Sequence, residues 1–220
     1  ITYVAANLTI TARPITVTAD AKSKIYGDAD PALTYQITSG TLATGETLNG
    51  ALGRAPGENV GAYAITQGTV TNVNNSNYDI TYVGANLTIT ARPITVTADA
   101  KSKVYGDADP ALTYQVTSGA LVGTDTLSGS LARVAGETVG IHAIQQGTLQ
   151  ASSNYTLTYV GATLTINLRP ITIAADPQTK IFNEADPPLT YQITSGSLAP
   201  GDVITGTLVR ASGENVGAYP

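Results

Sequence analysis

"RPITVTADAKSKVYGDADPALTYQVTSG" occupies residues 92–119, and "RPITVTADAKSKIYGDADPALTYQITSG" occupies residues 13–40. Across these 28 positions the two stretches differ only at Ile25/Val104 and Ile37/Val116. A third copy, "RPITIAADPQTKIFNEADPPLTYQITSG", begins at Arg169, which sets periods of 79 and 77 residues. Self-similarity at a fixed period marks a repeat array. Residues 1–11 match residues 80–90, and Pro220 aligns with Ala143. The frame this predicts is a terminal strand of a preceding repeat at 1–12, repeat 1 at 13–91, repeat 2 at 92–168 and a truncated repeat 3 at 169–220.

Within each copy the residues alternate. Ile94, Val96 and Ala98 are interleaved with Thr95 and Thr97, which is the period of a strand with one buried face. Further strands are predicted at 111–117, 126–133, 140–147 and 154–166. They are separated by the turn signals "GDADP", "TSG", "AGETVG" and "ASSN". No segment holds a helical period over about 11 residues; a single helical turn is the most that residues 121–127 allow. No Gly- or Ser-rich hinge separates the copies, since "LTITARPITVTA" runs unbroken through 87–98. Five strands in a unit of about 78 residues suffice for a small two-layer core. The expected fold is mainly β: a tandem array of small two-layer modules, Ig-like sandwich or β-grasp-like, forming an elongated rod. The last strand poses a problem of phase. Tyr155, Leu157 and Tyr159 are odd-numbered and Leu164 and Ile166 even-numbered, so one strand cannot bury both sets on one face. A bulge at Gly161, and at Gly84 in the first copy, is the expected remedy; the alternative is a strand that passes from one core to another.

Composition narrows the function. The net charge is −5 with 12% charged residues, which disfavours nucleic acid and anionic lipid, both of which need clustered Lys and Arg. There is no Cys, so neither a disulfide nor a thiolate metal site is available. No apolar run approaches the ~18 residues of a membrane span. The absence of Met leads us to expect a processed chain or an internal fragment.

With these residues in view, the chain resembles the bacterial MBG repeat of the YGX type. The resemblance is carried by "PITVTADAKSKVYGDADPALTYQVTSG", "GETVGIHAI" and "NYTLTYVGATLTI", and by Tyr26-Gly27 and Tyr105-Gly106. The third copy departs from it with Phe182-Asn183. Such repeats occur in large secreted bacterial adhesins, including proteins similar to filamentous haemagglutinin, where they form stalks. The resemblance implies an extracellular or cell-surface structural module and brings no catalytic residues with it.

The charges test that reading. All 11 basic residues fall in four repeat columns: Arg13/Arg92/Arg169, Arg54/Arg133/Arg210, Lys22/Lys101 and Lys24/Lys103/Lys180. Fifteen of the 16 acidic residues fall in five columns, Asp79 being the exception. A catalytic centre gathers chemically distinct groups at one place; here nearly every charge belongs to the repeat. We therefore expect no enzyme, no cofactor and no catalytic or metal-binding residue. His142, the only histidine, stands where other copies have Tyr63 and Tyr219 and reads as a packing position with a polar tip. In "YGDADP", residues 105–110, the Tyr-to-Phe and Gly-to-Asn exchanges of the third copy indicate a ring that packs and a left-handed turn residue. Asp109 is then expected to accept local backbone N–H groups. A calcium loop on Asp107 and Asp109 is the competing reading, short of the roughly 6–8 ligands calcium takes. The columns Glu46/Asp125/Asp202 and Glu58/Glu137/Glu214 read as turn and solubility features.

The function expected is a stalk or spacer of an extracellular, secreted bacterial adhesin, setting the distance between cell surface and binding head. The alternative is a repeated low-affinity carbohydrate-binding module of a cell-surface or biofilm-matrix protein, for which exposed tyrosines would be needed. Expected partners are the neighbouring repeats, a polysaccharide under the alternative, and a second copy of the chain, whose residues 1–12 would dock head to tail on the incomplete third repeat.

Overall fold

The computed structural model describes all of residues 1–220, and its regular elements are strands throughout. In the first repeat these are β1 (Arg13–Ala19), β2 (Lys22–Ile25), β3 (Tyr35–Ser39), β4 (Gly53–Arg54), β5 (Gly61–Thr66), β6 (Tyr78–Val83) and β7 (Ala85–Thr90). The second repeat repeats the set as β8 (Arg92–Ala98), β9 (Lys101–Val104), β10 (Tyr114–Ser118), β11 (Ala132–Arg133), β12 (Gly140–Gln145), β13 (Tyr155–Val160) and β14 (Ala162–Asn167). The third repeat contributes β15 (Thr172–Ala175) and β16 (Tyr191–Ser195). Residues 121–127 hold only a turn. Residues 1–12 form no strand and are exposed.

The first repeat has two mixed sheets. In one, β1 lies between β3, antiparallel to it, and β6, parallel to it. In the other the order is β2-β7-β5-β4, with β2 parallel to β7 and β5 antiparallel to both β7 and β4. The alternation of β-branched residues explains the burial. Ile15, Val17 and Ala19 point inward from β1, and Leu87 and Ile89 from β7. One core holds Ile15, Val17, Leu48, Val70 and Tyr78, and an adjoining one holds Ala19, Ile65 and Leu87. Leu52 and Tyr82 pack against both, so the two sheets share a continuous interior. Full burial of a side chain such as Leu87 contributes about 1.5–3 kcal/mol.

The phase problem of the last strand is resolved by a change of sheet, not by a bulge. β6 pairs with β1, the chain passes Gly84, and β7 pairs with β2 and β5. The same break at Gly161 separates β13, in the sheet β10-β8-β13, from β14, in the sheet β11-β12-β14-β9. Each parity is therefore correct for its own sheet. β1 and β2 switch sheets in the same way across Asp20-Ala21, which is why β1 runs parallel to β6 and β2 parallel to β7.

The chain divides into two compact units. One comprises residues 1–96, 116–128 and 149–158; the other comprises 97–115, 129–148 and 159–220. The division runs through the second repeat, so each connection from one repeat to the next lies whole within one unit.

Candidate functional site: the joint between repeats

The hexapeptide stands at that connection. Its glycine is left-handed, as the Gly-to-Asn exchange predicts: φ is 82° at Gly27, 83° at Gly106 and 68° at Asn183, the one non-glycine residue with positive φ. The turn closes through Asp28 N–H to Ile25 O at 3.0 Å and Asp107 N–H to Val104 O at 3.0 Å. Glycine is needed for a second reason. A Cβ on Gly27 would lie 2.4 Å from Cγ2 of Val122, and one on Gly106 would lie 2.5 Å from Cβ of Ala199. Val122 and Ala199 belong to the repeat that follows, which approaches the turn's backbone directly.

The residues on either side of the glycine hold that neighbour. Tyr26 packs edge-on against Tyr155 of the second repeat, with centroids 5.5 Å apart at 77°. Its hydroxyl donates to Asp125 Oδ2 at 3.0 Å, and Tyr155 donates to the same oxygen at 2.5 Å. The bond to Asp125, then burial, raises the Tyr26 phenol above its ordinary pKa, so the ring stays neutral. Arg92, the first residue of the second repeat, reaches back. Its Nε donates to Tyr26 O at 2.7 Å and its guanidinium pairs with Asp28. Asn154 adds a contact, accepting from Val60 N–H at 2.9 Å. The next connection is built alike: Tyr105 donates to Asp202 at 3.2 Å, Arg169 Nε donates to Tyr105 O at 2.7 Å, and Arg169 pairs with Asp107.

Three stretches of the chain, residues 15–88, 94–165 and 171–220, match the profile of the MBG domain (YGX type). The chain belongs to that family. It is a tandem array of MBG repeats, modules typical of surface and secreted proteins. No curated protein and no solved structure matches it.

Each MBG repeat also carries a four-charge cluster behind the joint. In the second repeat Lys103 Nζ lies 2.7 Å from Asp109 and 2.5 Å from Glu137, while Arg133 Nε lies 2.5 Å from Asp109 and its terminal nitrogen meets Glu137. Lys24, Asp30, Arg54 and Glu58 form the same ring in the first repeat, as do Lys180, Asp186, Arg210 and Glu214 in the third. The Lys103 side chain is only 4% exposed. Hydrogen bonds from Arg133, then Lys103, hold the Asp109 carboxyl down at about 2. The ring ties the "GDADP" turn on one side to the loop after Arg133 on the other.

These contacts correct several sequence-based expectations. Asp109 accepts from Arg133 and Lys103 and not from local backbone. Asp107 faces a different cation, Arg169, so the two aspartates of the turn do not converge as a calcium loop requires. Glu58, Glu137 and Glu214 are ion-pair members, and Asp125 and Asp202 are acceptors at the joint, where sequence alone had them as turn and solubility residues. The role of the Arg92/Arg169 column was missed. Its signal was available: an arginine opens every copy, at the point where one repeat gives way to the next. The tyrosine hydroxyl, discounted because Phe182 lacks it, forms part of the joint in the first two copies. His142 is buried, and its Nε2 donates to Thr138 O at 2.8 Å. That is the bond Tyr63 makes to Asn59 O at 2.8 Å, so the imidazole replaces the phenol in kind.

Proposed function

We propose that these MBG repeats are a spacer segment of an extracellular bacterial surface protein of the adhesin type, whose work is to hold a fixed distance. The observation that supports this best is the joint. Only Ala91 separates β7 from β8, and side chains from both repeats close over it through Tyr26, Asp28, Arg92 and Asp125. A connection made this way resists bending, as a Gly- or Ser-rich linker does not. Stability of such an array is a sum of unit and interface contributions. The same reading makes the chain non-catalytic, and it draws support from the columns of Lys24, Asp30, Arg54 and Glu58, which pair with one another in every repeat. The tyrosines also bear on the carbohydrate alternative. In the two complete repeats none is exposed: Tyr78 and Tyr155 are buried and the others are half-buried. A sugar-stacking row would need the opposite.

Small-angle scattering tests the proposal. The expected profile is that of a rod whose length grows by roughly 35–40 Å per repeat, about the span of an 11-residue strand. An Arg92→Ala, Tyr26→Phe variant should broaden the distance distribution without loss of strand signal in circular dichroism. A compact particle for the parent chain would refute the spacer reading.

A further inference from the structure

The third repeat keeps the turn of the motif and changes the three residues that seat a neighbour on it. Asn183 holds the left-handed backbone, with φ of 68°. The turn closes through Glu184 N–H to Ile181 O at 3.1 Å, as it closes through Asp28 and Asp107 in the other copies. Lys180 Nζ donates to Glu184 O at 3.2 Å, the bond that Lys103 makes to Asp107 O at 3.0 Å. Behind the turn the ring of Lys180, Asp186, Arg210 and Glu214 is complete. The residues that face the preceding repeat are kept as well: Arg169 and Asp202 hold Tyr105, and Ala199 approaches Gly106.

Each of the three changes acts against a joint of the kind made twice in this chain. Phe182 has the ring of Tyr26 without the hydroxyl that donates to Asp125. Glu184 carries its carboxylate one methylene farther from the backbone than Asp28 and Asp107, which pair with Arg92 and Arg169. Asn183 acts by exclusion. The following repeat meets the turn with Val122 at Gly27 and with Ala199 at Gly106, and the first copy has Ala43 in the same column. A Cβ at Gly106 would lie 2.5 Å from Cβ of Ala199 and 3.4 Å from its Cα. Alanine, the smallest residue in that column, therefore already clashes through its own Cβ. No rotamer relieves a contact between two Cβ atoms, and asparagine adds its amide to the overlap.

We propose that these three residues decide whether a joint is rigid, and that Phe182-Asn183-Glu184 writes a hinge into the array. Tyr-Gly-Asp seats the following MBG repeat: the hydroxyl and the carboxylate hold it, and the bare glycine lets it approach. Phe-Asn-Glu sustains the same turn and holds a following repeat off, so the connection beside it is free to bend. This rests on the spacer reading and adds to it a place where the spacer is not stiff. The three changes occur together while the turn, its lysine anchor and its ion ring are unchanged, so they bear on the joint and not on the fold of the repeat.

Moving the three residues to the joint between the first and second repeats tests this. Tyr26→Phe, Gly27→Asn and Asp28→Glu together give the first turn the residues of the third. The chain has no cysteine, so Ala64→Cys in β5 and Ser118→Cys in β10, both exposed, carry nitroxide labels on the two sides of that joint. Double electron–electron resonance is expected to give one narrow distance in the parent background and to lose it in the triple variant, with a broad distribution in its place. Gly27→Asn alone should broaden the distribution too, because exclusion acts without the other changes; Tyr26→Phe with Asp28→Glu should broaden it less. Circular dichroism should be unchanged, since asparagine sustains the same turn at 183. If the triple variant and Gly27→Asn keep the parent's narrow distance, the hinge is overturned and the spacer reading stands. If the parent chain itself gives a broad distribution, the joint is not rigid and the spacer reading fails with the hinge.

Discussion

Lys103→Glu is expected to destabilise the second repeat by about 3–5 kcal/mol, the usual cost of leaving buried charge uncompensated. The substitution gathers three carboxylates around the single guanidinium of Arg133: those of Asp109 and Glu137, and a new one where the ammonium had been. The site has little room for water, since the native lysine side chain is 4% exposed. Lys103→Met is the informative control. Its chain fills the space of the lysine stem, Arg133 remains with both carboxylates, and the side chains of Asp109 and Glu137 are 40% and 56% exposed and can hydrate themselves. The control should cost only about 1–2 kcal/mol, because a well-packed apolar replacement of a buried ion is often tolerated. Urea unfolding of the three chains measures both. Equal losses would show that the third carboxylate costs nothing beyond the removal of the ammonium, against the argument from uncompensated buried charge.

The same cluster governs the response to acid. Asp109 and Asp186 are depressed from 3.8 to about 2 by their arginine and lysine partners. A carboxylate depressed in the folded state stabilises fully above its unfolded pKa, near 3.9. That stabilisation is lost as pH falls through the folded value. The urea midpoint should therefore fall between about pH 5 and pH 2. It should fall less steeply in Asp109→Asn, in which that group no longer titrates.

The repeats were visible in the sequence because 26 of 28 residues recur without change between positions 13–40 and 92–119. Strand positions followed from the alternation of Thr with Ile and Val, and the left-handed turn from one exchange, Gly106 to Asn183. Pairing was less accessible. Period two says which face of β6 or β7 is buried but not which strand lies beside it, and the parity change at Gly84 fits a bulge as well as a change of sheet. The joint was hidden for a different reason. Tyr26 and Asp125 are 99 residues apart, more than one period, so a comparison of copy with copy aligns each with its own column and never sets the two columns side by side. The ion cluster was hidden likewise: Lys24 and Glu58 are 34 residues apart, and the intervening turns bring them together.

The joint predicts a difference between two glycines of the first repeat. Gly27 and Gly45 have nearly the same backbone, with φ of 82° and 80°. Alanine at either must adopt a left-handed conformation, at a cost of about 1–2 kcal/mol. Around Gly45 a new Cβ meets nothing within 4 Å. At Gly27 it would meet both methyls of Val122, at 2.4 Å and 2.9 Å, and Val122 Cβ itself at 3.2 Å. No rotation of the valine relieves a clash that includes its Cβ, so the second repeat must move away from the turn. That movement lengthens the Tyr26–Asp125 bond and draws Arg92 from Asp28. Gly27→Ala is expected to cost about 1–3 kcal/mol more than Gly45→Ala, the range for overpacking a close contact. Most of the excess should disappear in a Val122→Ala background, where both methyls are gone and only the 3.2 Å contact with Cβ remains; a double-mutant cycle isolates this coupling. If Gly27→Ala and Gly45→Ala are equally destabilised in the parent chain, the glycine of the motif serves the turn alone, and the close approach of the next repeat contributes nothing to its selection.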